Sequence, residues 1–182
     1  MNNDCIFSSD RKYRYLLKHV WDNNNKNEIS WIGLNPSTAD EKKLDPTLRK
    51  IKGFSNIYGF GSFWMLNLFA LRSTDPAELY KDEFPVGSDN NKWILDITSK
   101  TNVVVCCWGS TGVFLDRYKK VLEILNPDKL YYINLTKSDQ PNHPLYMSYK
   151  EEIKKAKIVN GMLERTNEIL KKPESKEAIL KW

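Results

Sequence analysis

The sequence predicts an α/β fold, a three-layer α/β/α sandwich with a short, mostly parallel central sheet and an N-terminal hairpin. Three observations predict it. Near-continuous apolar runs such as SFWMLNLFAL (62–71) and NVVVCCWG (102–109) read as strands buried on both faces. Amphipathic helical segments alternate with these runs, the arrangement of a βαβ chain. Finally, NPSTAD, NLFALRST, WGSTG and TKSDQPNHPLY each end or follow an apolar run. In a parallel sheet those four polar segments converge on one edge, beyond the carboxyl ends of the strands.

Taken in order, RKYRYLLKHVW (11–21) fits both a helical face and strand alternation. The turn chemistry of DNNNKN (22–27) leads straight into a strand and favours a hairpin. EISWIGL (28–34) is the first core strand. DPTLRKIKGFSNIYGFG (45–61) opens a helix with Asp45 as cap and Pro46 at its first position, and fails near its glycines. SFWMLNLFAL is a buried strand with one polar residue, Asn67. GSDNNKWILDITSKT (87–101) is a helix capped near Ser88 or Asp89, NVVVCCWG a third strand, TGVFLDRYKKVLEIL (111–125) an amphipathic helix and KLYYINL (129–135) a fourth strand. Residues 149–172 carry Ile153, Ala156, Val159, Leu163, Thr166 and Leu170 at helical spacing and predict a basic helix. The expected organisation is one α/β domain over 1–148, with residues 149–182 as a C-terminal basic helix packed on it.

The 182 residues are 41% hydrophobic and 28% charged with a net charge of +5, ordinary for a single domain with a sizeable core. The mild basic balance is compatible with a polyanionic partner. No apolar run is long enough to span a bilayer, and no signal peptide is expected. Cys5, Cys106 and Cys107 lack metal-ligand spacing, which predicts a reduced, cytoplasmic protein with neither zinc nor structural disulfides. No P-loop, dinucleotide fingerprint or metal motif is present, so no cofactor is expected. Ser37 is outside a Gly-x-Ser-x-Gly elbow, which argues against a serine hydrolase.

The predicted edge assembles a particular chemistry. NPSTAD contributes Asn35, Ser37, Thr38 and Asp40. The second segment contributes Asn67 and Arg72, the third Trp108, Gly109 and Ser110, and the fourth His143 between prolines. An imidazole, amides and a carboxylate around a dry slot suit a planar heterocycle better than a phosphate, because amides read both donor and acceptor edges. Each residue also has a structural reading. Asn35 suits a turn cap, Asn67 a buried hydrogen bond, His143 a surface loop, Asp40 and Asp45 a helix start, and Arg72 an ion pair with Asp75 or a phosphate contact.

The order GLNP, MLNL, VCCWG, HPLY resembles the uracil-DNA glycosylase superfamily, which carries a Gly-x-Asp-Pro or Gly-x-Asn-Pro loop, a Leu-Leu-Asn strand, a strand ending Trp-Gly and a His-Pro-Ser loop. Over roughly residues 5–147, FSSDRKYRYLL, NPSTAD, NLFALRSTDP, PVGSDN, WGSTG and HPLY resemble a bacterial and phage family catalogued as a domain of unknown function. The superfamily resemblance implies that Asn35 positions water and that Asn67 reads a base edge. It implies that His143 donates to the leaving base, that Trp108 and Gly109 support the pocket floor, and that residues 145–147 wedge into a duplex when a nucleotide is flipped. Asp40, or second to it Asp45, would deprotonate the water. Ser37, Thr38, Arg72 and Ser110 complete the expected substrate contacts.

Two departures stand out. Ser37 and Thr38 replace the Tyr-His that follows the proline in strict uracil enzymes, and HPLY lacks the serine of His-Pro-Ser. They open the substrate to modified bases and nucleotides. The expected function is hydrolysis of an N-glycosidic bond in DNA or a nucleotide. A non-catalytic nucleic-acid or nucleotide binder and a transferase acting on a modified base are the alternatives, with a monomer as the expected state.

Overall fold

Ile29, Trp31 and Ile32 are shut off from solvent on both sides of one strand, as a central position requires. In the computed structural model, which describes residues 2–37 and 44–174, that strand is β3 (Glu28–Gly33). Around it lie β1 (Asn2–Phe7), β2 (Arg14–Val20), β4 (Ser62–Asn67), β5 (Val104–Cys106), β6 (Leu130–Tyr132) and β7 (Lys154–Lys155), in the order β1-β2-β4-β3-β5-β6-β7. Strands β4, β3, β5 and β6 run parallel, while β1, β2 and β7 are antiparallel to their neighbours. The fold is mixed α/β with a mostly parallel centre.

Three α-helices among the described residues complete it: α1 (Pro46–Ile57), α2 (Asn90–Lys100) and α3 (Arg117–Leu122). Alternation along the strands sorts the core into two. Trp31, Phe63, Met65 and Val105 pack with Leu48, Ile51 and Phe54 of α1. Ile32, Leu66 and Cys106 pack with Ile94 and Ile97 of α2 and Val121 and Leu122 of α3. Helix α1 begins as its sequence dictates, with Asp45 accepting from the Leu48 N–H at 2.8 Å and Pro46 following. Gly59, at φ 78°, carries the chain out of it.

The order of connections places a crevice. From β3 the chain crosses to β4 on one side, and from β4 it returns across to β5 on the other. Loops leaving β3 and β5 therefore diverge, and in an open α/β sheet a ligand site lies where they part.

Three elements differ from the sequence reading. Residues 149–172 form no helix. Lys157–Val159 (β8) and Met162–Glu164 (β9) pair as a hairpin instead. Its turn is Asn160-Gly161 with φ of 52° and 74°, the two-residue loop that Asn-Gly favours, and this local signal outweighs the helical spacing of Ile153, Ala156 and Val159. The helix expected over 111–125 is regular only as α3. A 3-10 stretch over Ser110–Asp116 precedes it, broken where Leu115 and Asp116 take φ of 55° and 50°. The N-terminal hairpin joins β2 to β1, not to β3; β2 pairs on its other side with β4.

Candidate functional site at the carboxyl edge of the sheet

Asn67 ends β4 and is 1% exposed. Among the described residues no group bonds to its Nδ2 or its Oδ1. A buried polar atom left unpaired costs roughly 1–3 kcal/mol, so a side chain carrying two such atoms stands out. Alternation puts Asn67 on the α1 face with Phe63 and Met65. Its register partner on β3 is Gly33, and a Cβ built there would stand 3.0 Å from Asn67 Oδ1 and 2.5 Å from Met65 Cε. The Met65 methyl and the amide oxygen thus pack where a side chain at position 33 would stand, which only glycine permits.

The backbone of Asn67 is held from behind. Asn90 Nδ2 donates to the carbonyls of Asn67 (3.0 Å) and Leu68 (2.9 Å), and Arg117 Nε donates to the Leu68 carbonyl at 2.8 Å. Both side chains are buried, and burial pushes the Arg117 guanidinium down to about 10. Neither was singled out in the sequence. Asn90 reads there as one more polar residue near a helix start, and Arg117 as a member of a solvated face.

The loop leaving β3 is bolted to the segment leaving β4. Asn35 Nδ2 donates to the Ser73 carbonyl at 2.9 Å and to the Pro36 carbonyl at 3.3 Å, and the Ser73 N–H donates to the Pro36 carbonyl at 2.9 Å. One residue further, the Ser37 hydroxyl donates to Asp45 Oδ2 while Asp45 Oδ1 caps α1. Asp45 thus ties the loop to the helix. Thr38 and Asp40 lie outside the described residues.

His143 arrives from the other side of the crevice. Its loop closes on itself through Thr136 N–H to the Gln140 carbonyl (2.7 Å) and Asn142 N–H to the Asn134 carbonyl (2.8 Å). The turn Pro144–Tyr146 that follows His143 packs on α1. Burial pushes the imidazole below its usual range, and the charge of Asp45 pulls it partly back. Its Nδ1 accepts the Leu145 N–H at 3.4 Å. A neutral imidazole that accepts at Nδ1 carries its proton on Nε2, leaving Nε2–H as a donor.

Gly109 faces the same histidine. Its N–H donates to the Pro141 carbonyl at 2.8 Å, its φ is 73°, and a Cβ there would lie 3.9 Å from His143 Cβ. Trp108 turns the opposite way, into the core shared with α2 and α3. Its Nε1 donates to buried Gln140 Oε1 at 2.9 Å, and a Cβ on Gly112 would stand 2.1 Å from its Cδ1. Trp108 therefore anchors the His143 loop through Gln140, a residue the sequence reading passed over as loop polarity. Ser110 is exposed at the start of the 3-10 stretch.

The structure thus brings Ser37, Asp45, Gly109 and His143 into one cluster at the N-terminus of α1, with Asn67 on the same face of the sheet. Asn35 serves as a strut toward Ser73. Arg72 turns away toward the N-terminal hairpin, where its Nη1 donates to the Arg11 carbonyl at 3.1 Å, and it forms no ion pair with Asp75. No helix among the described residues is long and apolar enough to cross a membrane.

A family model described as protein of unknown function (DUF1643) matches residues 14–145, well over half of the chain. No curated protein and no solved structure matches it.

Proposed function

The chain belongs to the DUF1643 family, and we propose that it binds a nucleobase, in DNA or a nucleotide, at the carboxyl edge of its sheet and hydrolyses the N-glycosidic bond. The observation that carries this reading is Asn67, a buried amide whose donor and acceptor both lack a described partner beside a glycine. A base edge offers an acceptor next to a donor, and a site with unmet polar groups discriminates strongly for the ligand that meets them. The three-layer, uracil-DNA glycosylase-like arrangement implied by the ordered motifs is consistent with one helix on one sheet face and two on the other.

The chemistry follows from charge. Cleavage leaves the sugar oxocarbenium-like and places negative charge on the departing base. His143, neutral with a proton on Nε2, would donate to that charge. Removing a donor aimed at developing charge typically costs on the order of 10²–10³ in rate. Exposed Leu145 and Tyr146, just beyond His143, would meet the space vacated by a flipped nucleotide.

A specific observation favours the second reading, a binder that does not cleave. Asp45 is engaged by Ser37 and by the first turn of α1, and Asn35 Nδ2 by backbone carbonyls. Asp45 is thus committed to holding the loop and the helix, and Asp40 lies outside the described residues. An abasic-site assay on oligonucleotides carrying uracil and modified pyrimidines separates the two. Hydrolysis predicts cleavage that His143→Ala reduces at least a hundredfold. Binding that Asn67→Ala abolishes, without product from any substrate, selects the binder.

A further inference from the structure

Two buried side chains grip the end of β4 from the sheet face opposite the Asn67 amide. Asn90 is the first residue of α2 and Arg117 the first of α3. The Asn90 amide bridges the carbonyls of Asn67 and Leu68, and Arg117 Nε brings a second donor to Leu68. Arg117 Nη2 also donates to Asn91 Oδ1, which ties the start of α3 to the start of α2. The grip falls where β4 has parted from its antiparallel neighbour. Register pairing with β2 stops at Leu17 and Met65, and residues 66–69 have no register partner on that strand. Contact resumes where the Arg14 N–H donates to the Ala70 carbonyl at 2.9 Å.

Neither residue serves its own helix. The free groups at a helix start are N–H donors, which call for an acceptor, and a cation there opposes the macrodipole. Asn90 and Arg117 direct their donors to β4 instead. A buried guanidinium is also a weak source of stability, because its desolvation offsets what its contacts gain. Residues that break a local rule in this way mark a place where geometry matters. Here the geometry is that of Asn67, whose side chain is short, so the backbone it hangs from sets where its amide can reach. A group that reads a ligand must be held within roughly 0.5 Å and 10–20° of its productive pose. The same grip connects to the other flank. Arg117 ends the 3-10 stretch that begins at Gly109, the residue facing His143.

We infer that Asn90 and Arg117 are positioning residues for the Asn67 amide, and through it for the choice of ligand edge. That the ligand is a base rests on the base-binding reading above; the positioning of the amide does not.

The experiment compares the wild type with Asn90→Leu and Arg117→Met, which keep much of the side-chain volume and remove the donors. Arg117→Lys, which retains a donor for the Leu68 carbonyl, is the rescue. Each ¹⁵N-labelled protein is followed by its urea midpoint, by its ligand-free Asn67 Nδ2 proton resonances, and by its affinities for uracil, thymine, cytosine, adenine and guanine. The donor-free variants are expected to shift the ligand-free Asn67 resonances. They should weaken the preferred base about tenfold or more, as a small misplacement of a binding group does, so that the preference over the other bases narrows. Arg117→Lys restores most of both. A lower urea midpoint with Asn67 resonances and base preference unchanged marks a grip that only stabilises the fold, and overturns the inference. Arg117→Lys behaving like Arg117→Met overturns it as well. Should a donor-free variant fail to fold, Asn90→Ser or Arg117→Gln replaces it, with a smaller shift expected and an absent shift overturning. If no base binds the wild type, the base reading falls and the ligand-free resonances decide the positioning alone. A shift that Arg117→Lys reverses keeps it, and the lack of any shift removes it.

Discussion

Gly33 and Asn67 are register partners on adjacent parallel strands, and a Cβ on the glycine would stand 3.0 Å from Asn67 Oδ1 and 2.5 Å from Met65 Cε. That pairing yields the first prediction. Gly33→Ala places a methyl group against Asn67 Oδ1 and Met65 Cε, and overpacking of this kind typically costs about 1–3 kcal/mol. The Met65 methyl lies at the end of a flexible side chain and can retreat. The variant is expected to fold, with lowered stability by urea denaturation and no measurable base binding. Unimpaired binding would mean that the ligand lies elsewhere.

Asn67 itself predicts a trade of stability for function. Asn67→Leu removes two unpaired polar atoms and keeps a side chain of similar volume in an apolar setting. Replacing an orphaned buried amide this way is expected to raise stability by roughly 1–3 kcal/mol. Each kcal/mol corresponds to about 2–4 °C of melting temperature for a chain of this size. Calorimetry checks the sign. A fall in melting temperature would show that the amide is satisfied in the folded protein.

Asp45 and His143 form an electrostatic pair. The carboxylate holds the imidazole's affinity for protons above what burial alone would leave. Asp45→Asn retains an oxygen able to cap α1 but removes the charge. The His143 pKa should fall further, read from its ring resonances across a pH titration, while helix stability changes little.

Acid sensitivity follows from the two histidines. Burial pushes His19 down to about 4 and lowers His143 as well, both from an ordinary 6.5. As pH falls through 6.5 the unfolded chain takes up protons before the folded one. Their contribution is therefore complete above 6.5 and drains away as pH falls toward 4. Urea midpoints should drop across that window, and less steeply in His19→Gln. Parallel slopes for the two proteins would contradict the assignment.

Gly112 is under the tightest constraint at the edge. The Trp108 ring against it is buried and pinned by Gln140, so it cannot move away from an added methyl group. Gly112→Ala should destabilise by about 3 kcal/mol or more, and the loop carrying His143 should lose protection in hydrogen exchange.

Much of this arrangement is legible in the chain. EISWIGL and SFWMLNL are apolar on both faces because they occupy the middle of the sheet, and Asp45-Pro46 announces α1 in two residues. Asn67 can be recognised as the lone amide inside the apolar run SFWMLNLFAL. Other features are not local. Residues 149–172 carry helical spacing, yet Asn160-Gly161 turns them into a hairpin. Residues 11–21 alternate as a strand should, but alternation does not reveal that the partners are β1 and β4. Asn90, Arg117 and Gln140 look like surface polarity until the chain folds and each meets its partner: the carbonyls behind Asn67 for the first two, Trp108 for the third.

The most direct measurement follows the side-chain amide resonances of Asn67 while the ¹⁵N-labelled protein is titrated with uracil, thymine, cytosine, adenine and guanine. At least one base should move both Nδ2 protons saturably, and an analogue methylated on its pairing edge should not. Amide signals that stay fixed with every base, or a base response elsewhere that leaves Asn67 untouched, would contradict a nucleobase held at the end of β4.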